Sequence, residues 1–243
     1  MENFSRVDIF DTKGAEYLFV IAYLIALLIF WIVSGKQIKL KKQLQETLSN
    51  FSANILRIPQ GLFYNINHTW THLNESGEAK VGLDDFLQHI VGKVKLVNLK
   101  KTGDIINKGD LLADLVQNGK QLKIYSPISG KVLDINEELH DNPEVLNENP
   151  YQQGWIYKIK PTKWMEETSS YYLAEDAVNW TKSEISRFKD FLAGGAMKKY
   201  SLEPSMVILQ DGGEIRDQVL SELPENVWNE FQVEFLDLPH RKT

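Results

Sequence analysis

Hydrophobic positions are spread very unevenly along this chain. From Tyr17 to Val33 the sequence reads 17 residues without a charge, and Ser34-Gly35 extends the uncharged run to 19. At about 1.5 Å per residue the run covers roughly 26–28 Å, close to the ~30 Å hydrocarbon core of a bilayer. It is apolar on every side, where a buried core helix would keep a polar stripe. Tyr17, Tyr23 and Trp31 add aromatic rings near its ends, as interfacial belts do. A cleaved leader needs positive charge ahead of the apolar run, and here Glu2, Asp8, Asp11 and Glu16 outweigh Arg6 and Lys13. The pattern predicts a retained single-pass transmembrane helix over 17–35, behind an extracytoplasmic segment over 1–16. Lys36, Lys39, Lys41 and Lys42 follow directly, so the positive-inside rule places the rest of the chain on the cytoplasmic side of the inner (plasma) membrane. Ile38, Leu44, Leu48, Phe51 and Ile55 then recur at near-helical spacing, which predicts a helical stalk over 36–58 that ends before Pro59.

Between about Gly61 and Pro161 the period shortens to that of strands and turns. Val94, Leu96 and Val97 form a β-branched run; Lys101-Thr102-Gly103-Asp104 and Asn107-Lys108-Gly109-Asp110 read as turns. Leu111 to Val116 is an apolar strand, Asn118-Gly119 is a type I′ hairpin signal, and Leu122 to Tyr125 returns. Pro127 and Gly130 turn the chain again before Val132-Leu133-Asp134-Ile135. Gly92-Lys93-Val94 and Gly130-Lys131-Val132 each open a strand, a weak internal repeat that predicts two similar strand sets packed as a flattened barrel or sandwich.

Beyond Glu166 the chain becomes acidic. This last third holds 15 acidic and 8 basic residues against 18 and 19 in the rest, for a total net charge of −6. That balance argues against a nucleic-acid binder. With no cysteine in the chain, disulfides, thiolate metal ligation and thiol nucleophiles are excluded. Glu175 to Leu192 reads as an amphipathic helix through Val178, Ile185, Phe188 and Leu192. Met206 to Leu209 followed by Asp211-Gly212-Gly213 reads as a strand and turn, and Trp228, Phe231, Val233 and Phe235 as a late aromatic segment. The region over 166–243 is therefore an α+β extension, either a cap on the barrel or a docking surface. Its acidic charge suits a basic partner without naming one.

Several stretches of the middle region resemble the glycine cleavage system H-protein. They are Asn67-His68-Thr69-Trp70, Ala79-Lys80-Val81-Gly82-Leu83, Tyr125-Ser126-Pro127-Ile128-Ser129-Gly130-Lys131-Val132, Asn147-Glu148-Asn149-Pro150-Tyr151 and Gly154-Trp155-Ile156-Tyr157-Lys158-Ile159-Lys160-Pro161. The resemblance covers about 100 residues and implies a mainly β, lipoyl-type barrel over 59–165. It also implies a lysine at a hairpin tip that bears lipoate and carries an aminomethyl group between enzymes. The family's Glu-Ser-Val-Lys-Ala pattern falls, without gaps, on Val116-Gln117-Asn118-Gly119-Lys120. The lysine position is thus held by Gly119 and the glutamate position by Val116; Lys120 is one residue late, and Lys123 lies further along.

No other chemistry stands out. His68 and His72 are spaced i, i+4 without an acidic or histidine partner nearby in sequence, His89, His140 and His240 are scattered, and no metal-ligand set is legible. His68 lies in the Asn-His-Thr-Trp stretch, which points to a fold or partner-contact role. Asp84-Asp85 suits a helix cap, and Gly194-Gly195 a helix end. No nucleophile-and-base arrangement or nucleotide fingerprint is present, so a catalytic role is not expected. Two functions follow. One is a non-catalytic docking or structural subunit, without cofactor, held among integral membrane subunits and membrane lipid in a larger complex of redox or respiratory type; the redox element is analogy. The alternative is a lipoylated carrier that uses Lys120 to shuttle an aminomethyl group or electrons.

Overall fold

The structure, a computed structural model, describes residues 20–25, 27, 50–51, 56–196 and 215–237. It divides into two units, Met1–Ser49 and Asn50–Thr243. In the first, residues 20–25 and 27 are helical and exposed, and the rest of the apolar run lies outside the described residues, as does the stalk over 36–49. Among the described residues no helix is long and apolar enough to cross a membrane. The stalk pattern reaches the described residues 50–51 and 56–58, none of which is helical. Asn50–Phe51 form a short strand (β1) paired antiparallel with Ile215–Arg216 (β11), a distant partner that overrides the local helical spacing.

The second unit is built on nine further strands: Phe63–Tyr64 (β2), Thr69–Leu73 (β3), Ala79–Leu83 (β4), Lys95–Asn98 (β5), Ile105–Ile106 (β6), Leu111–Gln117 (β7), Lys120–Tyr125 (β8), Gly130–Ile135 (β9) and Trp155–Pro161 (β10). They form a six-stranded sheet in the order β2-β3-β4-β10-β9-β6 and a three-stranded sheet in the order β5-β7-β8, with every pairing antiparallel. Alternation decides which face is buried. In β4, Ala79, Val81 and Leu83 are sealed while Lys80 between them is half-buried; in β8, Leu122 and Ile124 are buried while Gln121 and Lys123 are exposed. The buried faces share one core with Leu115, Val132, Ile159 and the helix Asp85–Val91 (α1). Asp84 caps α1 as the sequence suggests, with Oδ1 accepting from the Leu87 N–H at 2.9 Å.

The remaining helices are Glu138–Asp141 (α2), Val145–Glu148 (α3), Trp164–Thr168 (α4), Ala174–Asp190 (α5), Val219–Glu222 (α6) and Glu225–Phe231 (α7). Gly194-Gly195 do not end α5; they lie in a π-helical turn, Phe191–Ala196, that continues it. A second π-helical turn, Gln232–Leu236, extends α7. The Met206–Leu209 strand and the Asp211-Gly212-Gly213 turn fall outside the described residues. What is described of the extension is mostly helical, and it shares the barrel's core. Phe86 of α1 meets Phe188 of α5 edge-on at 6.1 Å, and Phe188 meets Phe231 and Phe235 at 5.7 and 5.8 Å. All four rings are at most 2% exposed, and each contributes roughly 1.5–3 kcal/mol by burial.

Gly130, which opens β9, shows how closely the strands approach. A methyl group there would overlap the Lys160 carbonyl oxygen of β10, which is backbone and cannot rotate away. Gly130→Ala is therefore expected to lower stability by about 1–3 kcal/mol, measured as a lower urea midpoint at unchanged slope.

Candidate functional site

The hairpin that the sequence marks as the arm-bearing tip is formed as expected. β7 and β8 are in register with Gln117 opposite Lys120, leaving a two-residue turn. Asn118 and Gly119 take φ of +50° and +80°, the double left-handed geometry of a type I′ turn. This turn favours glycine at Gly119, and Lys120 becomes the first residue of the returning strand. The near arm is pinned to the barrel, because the Gln117 amide donates to the Lys93 carbonyl at 2.6 Å and to the Val91 carbonyl at 3.3 Å.

Lys120 does not extend into solvent from this tip. Its ammonium donates to the Ser221 carbonyl at 2.6 Å and the Leu223 carbonyl at 2.9 Å, and stands 4.9 Å from the centre of the Trp228 ring. Those carbonyls lie at the C-terminal end of α6, where backbone acceptors have no helical donor left and a cation is favoured. Trp228 is itself buried and held by its indole N–H, which donates to the Leu220 carbonyl at 2.7 Å. Burial pushes the Lys120 amine below its ordinary value. Lys123, the further candidate, points an exposed side chain outward, while its backbone N–H donates to the Gln232 side-chain oxygen at 2.7 Å.

Two histidines that the sequence leaves without partners are given them by the fold. His68 sits in a left-handed turn (φ 58°), fully buried between the rings of Phe86 and Trp180 at 4.4 and 5.2 Å. Its Nδ1 is 2.8 Å from Asp84 and its Nε2 is 3.5 Å from Glu184 on α5. Burial drives its pKa down, but the charges and hydrogen bonds of the two carboxylates outweigh that, leaving it above the ordinary value. His72 is half-buried on β3, with its Nδ1 3.1 Å from the Asn74 side-chain oxygen, whereas His68 lies in the turn before that strand. His89 of α1 lies between Asp217 at 2.8 Å and Asp85 at 3.6 Å, tying the extension to the barrel. Burial opposes its charge, but the two carboxylates raise its pKa to about 9. Asp85 is lowered in turn: burial works against its ionised form, while His89 and the backbone N–H and guanidinium of Arg57 outweigh it. Among the described residues no group of three or more His, Asp or Glu side chains is arranged to hold a metal ion.

A mainly β barrel of this type, with a lysine-bearing hairpin at one end and helices at its C-terminal side, defines the lipoyl-type carrier fold. A family model described as glycine cleavage H-protein matches residues 62–184, about half of the chain and as far as α5. The chain belongs to the glycine cleavage H-protein family. A probable glycine cleavage system H protein of Thermococcus gammatolerans is 35% identical over 127 residues, covering 52% of this chain and 94% of the relative. One of Pyrococcus furiosus is 40% identical over 111 residues, covering 46% and 82%. A solved H-protein structure from Mycobacterium marinum is 21% identical with a TM-score of 0.45, covering 51% of this chain and 98% of that one. Members of the family are lipoate-bearing carriers rather than enzymes.

The linkage at His89 has a definite sign. Its folded pKa of about 9 lies above its ordinary 6.5, so its stabilisation is complete below pH 6.5 and is lost as pH rises through 9. Asp85, lowered from 3.8, stabilises above that value and loses its contribution as pH falls. The urea midpoint is expected to decline between pH 7 and 10, and His89→Gln to flatten most of that decline. Lys120→Met, which keeps the stem and removes the ammonium, is expected to cost about 1–2 kcal/mol in the same assay.

Proposed function

We propose that this chain is a non-enzymatic H-protein-type module that works by docking onto partner proteins. It serves as a structural subunit beside integral membrane proteins, with the run over 17–35 as its anchor in the inner (plasma) membrane and the barrel on the cytoplasmic side. The observation that carries the reading is the state of Lys120. A carrier arm needs an amine at a free tip, open first to a lipoylating enzyme and then to its partners. Here the family's lysine position is Gly119, and the neighbouring ammonium is held by two backbone carbonyls and an indole face. Support for the anchor is the apolar run with its basic flank.

Family membership favours the second reading over this one. In it the chain is a carrier lipoylated on Lys120, which shuttles an aminomethyl group or electrons. Lys120 adjoins the tip, and its side chain is half-buried rather than sealed.

Intact mass of protein gently extracted from its native membrane, with peptide mapping across 111–125, separates the two. The docking reading expects an unmodified peptide from lipoate-replete cells and co-extraction with integral membrane subunits. A lipoyl increment on Lys120 establishes the carrier. The anchor is checked separately: the chain should stay in the membrane pellet after alkaline carbonate washing, and the barrel should be digested by protease only once the cytoplasmic face is opened.

A further inference from the structure

β8 is an edge strand, since its sheet runs β5-β7-β8 and nothing pairs as a strand on its far side among the described residues. Gln117 and Lys120 flank the two-residue turn as a hydrogen-bonded pair, and so Leu122 and Ile124 also bond inward to β7. The N–H and C=O groups of Gln121 and Lys123 therefore point out of the sheet. Those of Lys123 are both taken by one side chain: the Gln232 amide accepts from the N–H at 2.7 Å and donates to the C=O at 3.2 Å. It is the pair of bonds that a neighbouring strand would make, supplied by a side chain whose amide also donates to the Asp237 carboxylate at 2.7 Å. The outward groups of Gln121 have no partner among the described residues.

Beside this edge lies a groove of about 350 Å³. Gln121, Lys123 and Tyr125 form its strand wall, and Glu225, Asn229 and Asp237 line the side of α7 and its π-helical turn. Its charges are two carboxylates and one lysine, and Asp114, opposite Lys123 in the sheet, adds a third carboxylate near Tyr125. The Tyr125 hydroxyl is pushed up by burial, by the charge of Asp237 and its hydrogen bond to that carboxylate, and by the charge of Asp114. A strand edge facing a short helix across a polar trough is the geometry in which extended peptides add to a sheet.

We propose that this groove binds an extended segment of a partner protein, rich in Lys or Arg, which adds to β8 as a strand and displaces the Gln232 side chain. The backbone of the segment satisfies Gln121 and Lys123, and its basic side chains meet Glu225 and Asp237. The inference rests on the docking reading, yet the two fail separately: lipoate on Lys120 would defeat that reading without altering peptide affinity.

The probe is a random short-peptide library displayed on phage, selected on the detergent-solubilised full-length chain. Selected peptides should alternate Lys or Arg with β-branched residues and slow amide exchange at Gln121. Gln121→Pro removes an outward N–H without touching the β7 pairing. It should weaken binding about tenfold or more while leaving the far-ultraviolet circular dichroism unchanged. Gln232→Ala, which removes the competing amide, should strengthen binding several-fold. Should Gln121→Pro fail to fold, the paired change Glu225→Gln with Asp237→Asn takes its place, and should weaken binding more at low salt than at high salt. The proposal is overturned if no peptide is enriched, if acidic peptides are selected, or if binding ignores both the proline and the charge changes. Binding that emerges only when residues 238–243 are removed assigns the groove to the chain's own tail, and overturns it as well.

Discussion

His68 has no access to water and lies between two carboxylates, which raise its pKa against the pull of burial. Asp84 does two jobs at once, accepting from the Leu87 N–H with one oxygen to cap α1 and meeting His68 with the other. On the far side Glu184 of α5 closes the pair and is itself met by Arg187 at 2.9 Å. The Arg187 guanidinium lies 3.9 Å from the centre of the Phe235 ring. The turn before β3, the start of α1, the long helix α5 and the last π-helical turn thus converge on one buried histidine. Removing a member would leave an uncompensated charge in the core, at a cost of roughly 3–5 kcal/mol. The arrangement therefore specifies how the helices sit on the barrel.

From that knot the C-terminal segment runs outward as a strap. Ile215–Arg216 pairs with β1, Asp217 holds His89, the end of α6 takes Lys120, and Gln232 covers the edge of β8. Asn67, in the turn that also holds His68, donates to the Leu236 carbonyl and brings the strap back to where it is anchored. Of these contacts, those of α6 and Gln232 land on the β7–β8 hairpin, and that of Asp217 lands on α1. In this chain the hairpin is covered by its own C-terminal segment, through the end of α6 and Gln232.

The elements themselves were legible because they depend on neighbours in sequence. Alternation marks β4 and β8, Asn118-Gly119 marks the turn, and Asp84 marks a cap, since side-chain direction and φ preference are set within a few residues. The helix α5 was also visible, although its continuation through Gly194-Gly195 was not, because the glycines were free to end the helix and the packing of Phe191 against Phe231 and Phe235 kept it going. The helical spacing through Phe51 misled for the opposite reason: a strand partner from the far end of the chain was stronger than a local pattern.

The sequence by itself determined a flattened antiparallel barrel of the H-protein kind, a type I′ turn at Asn118-Gly119, and an added acidic segment. Tertiary structure alone decided what that segment does. It brings to Lys120 two carbonyls lying 101 and 103 residues further along the chain, and to His68 a carboxylate from α5. Contacts at such separations follow from how the helices pack on the barrel, and no periodicity or spacing within the chain encodes them.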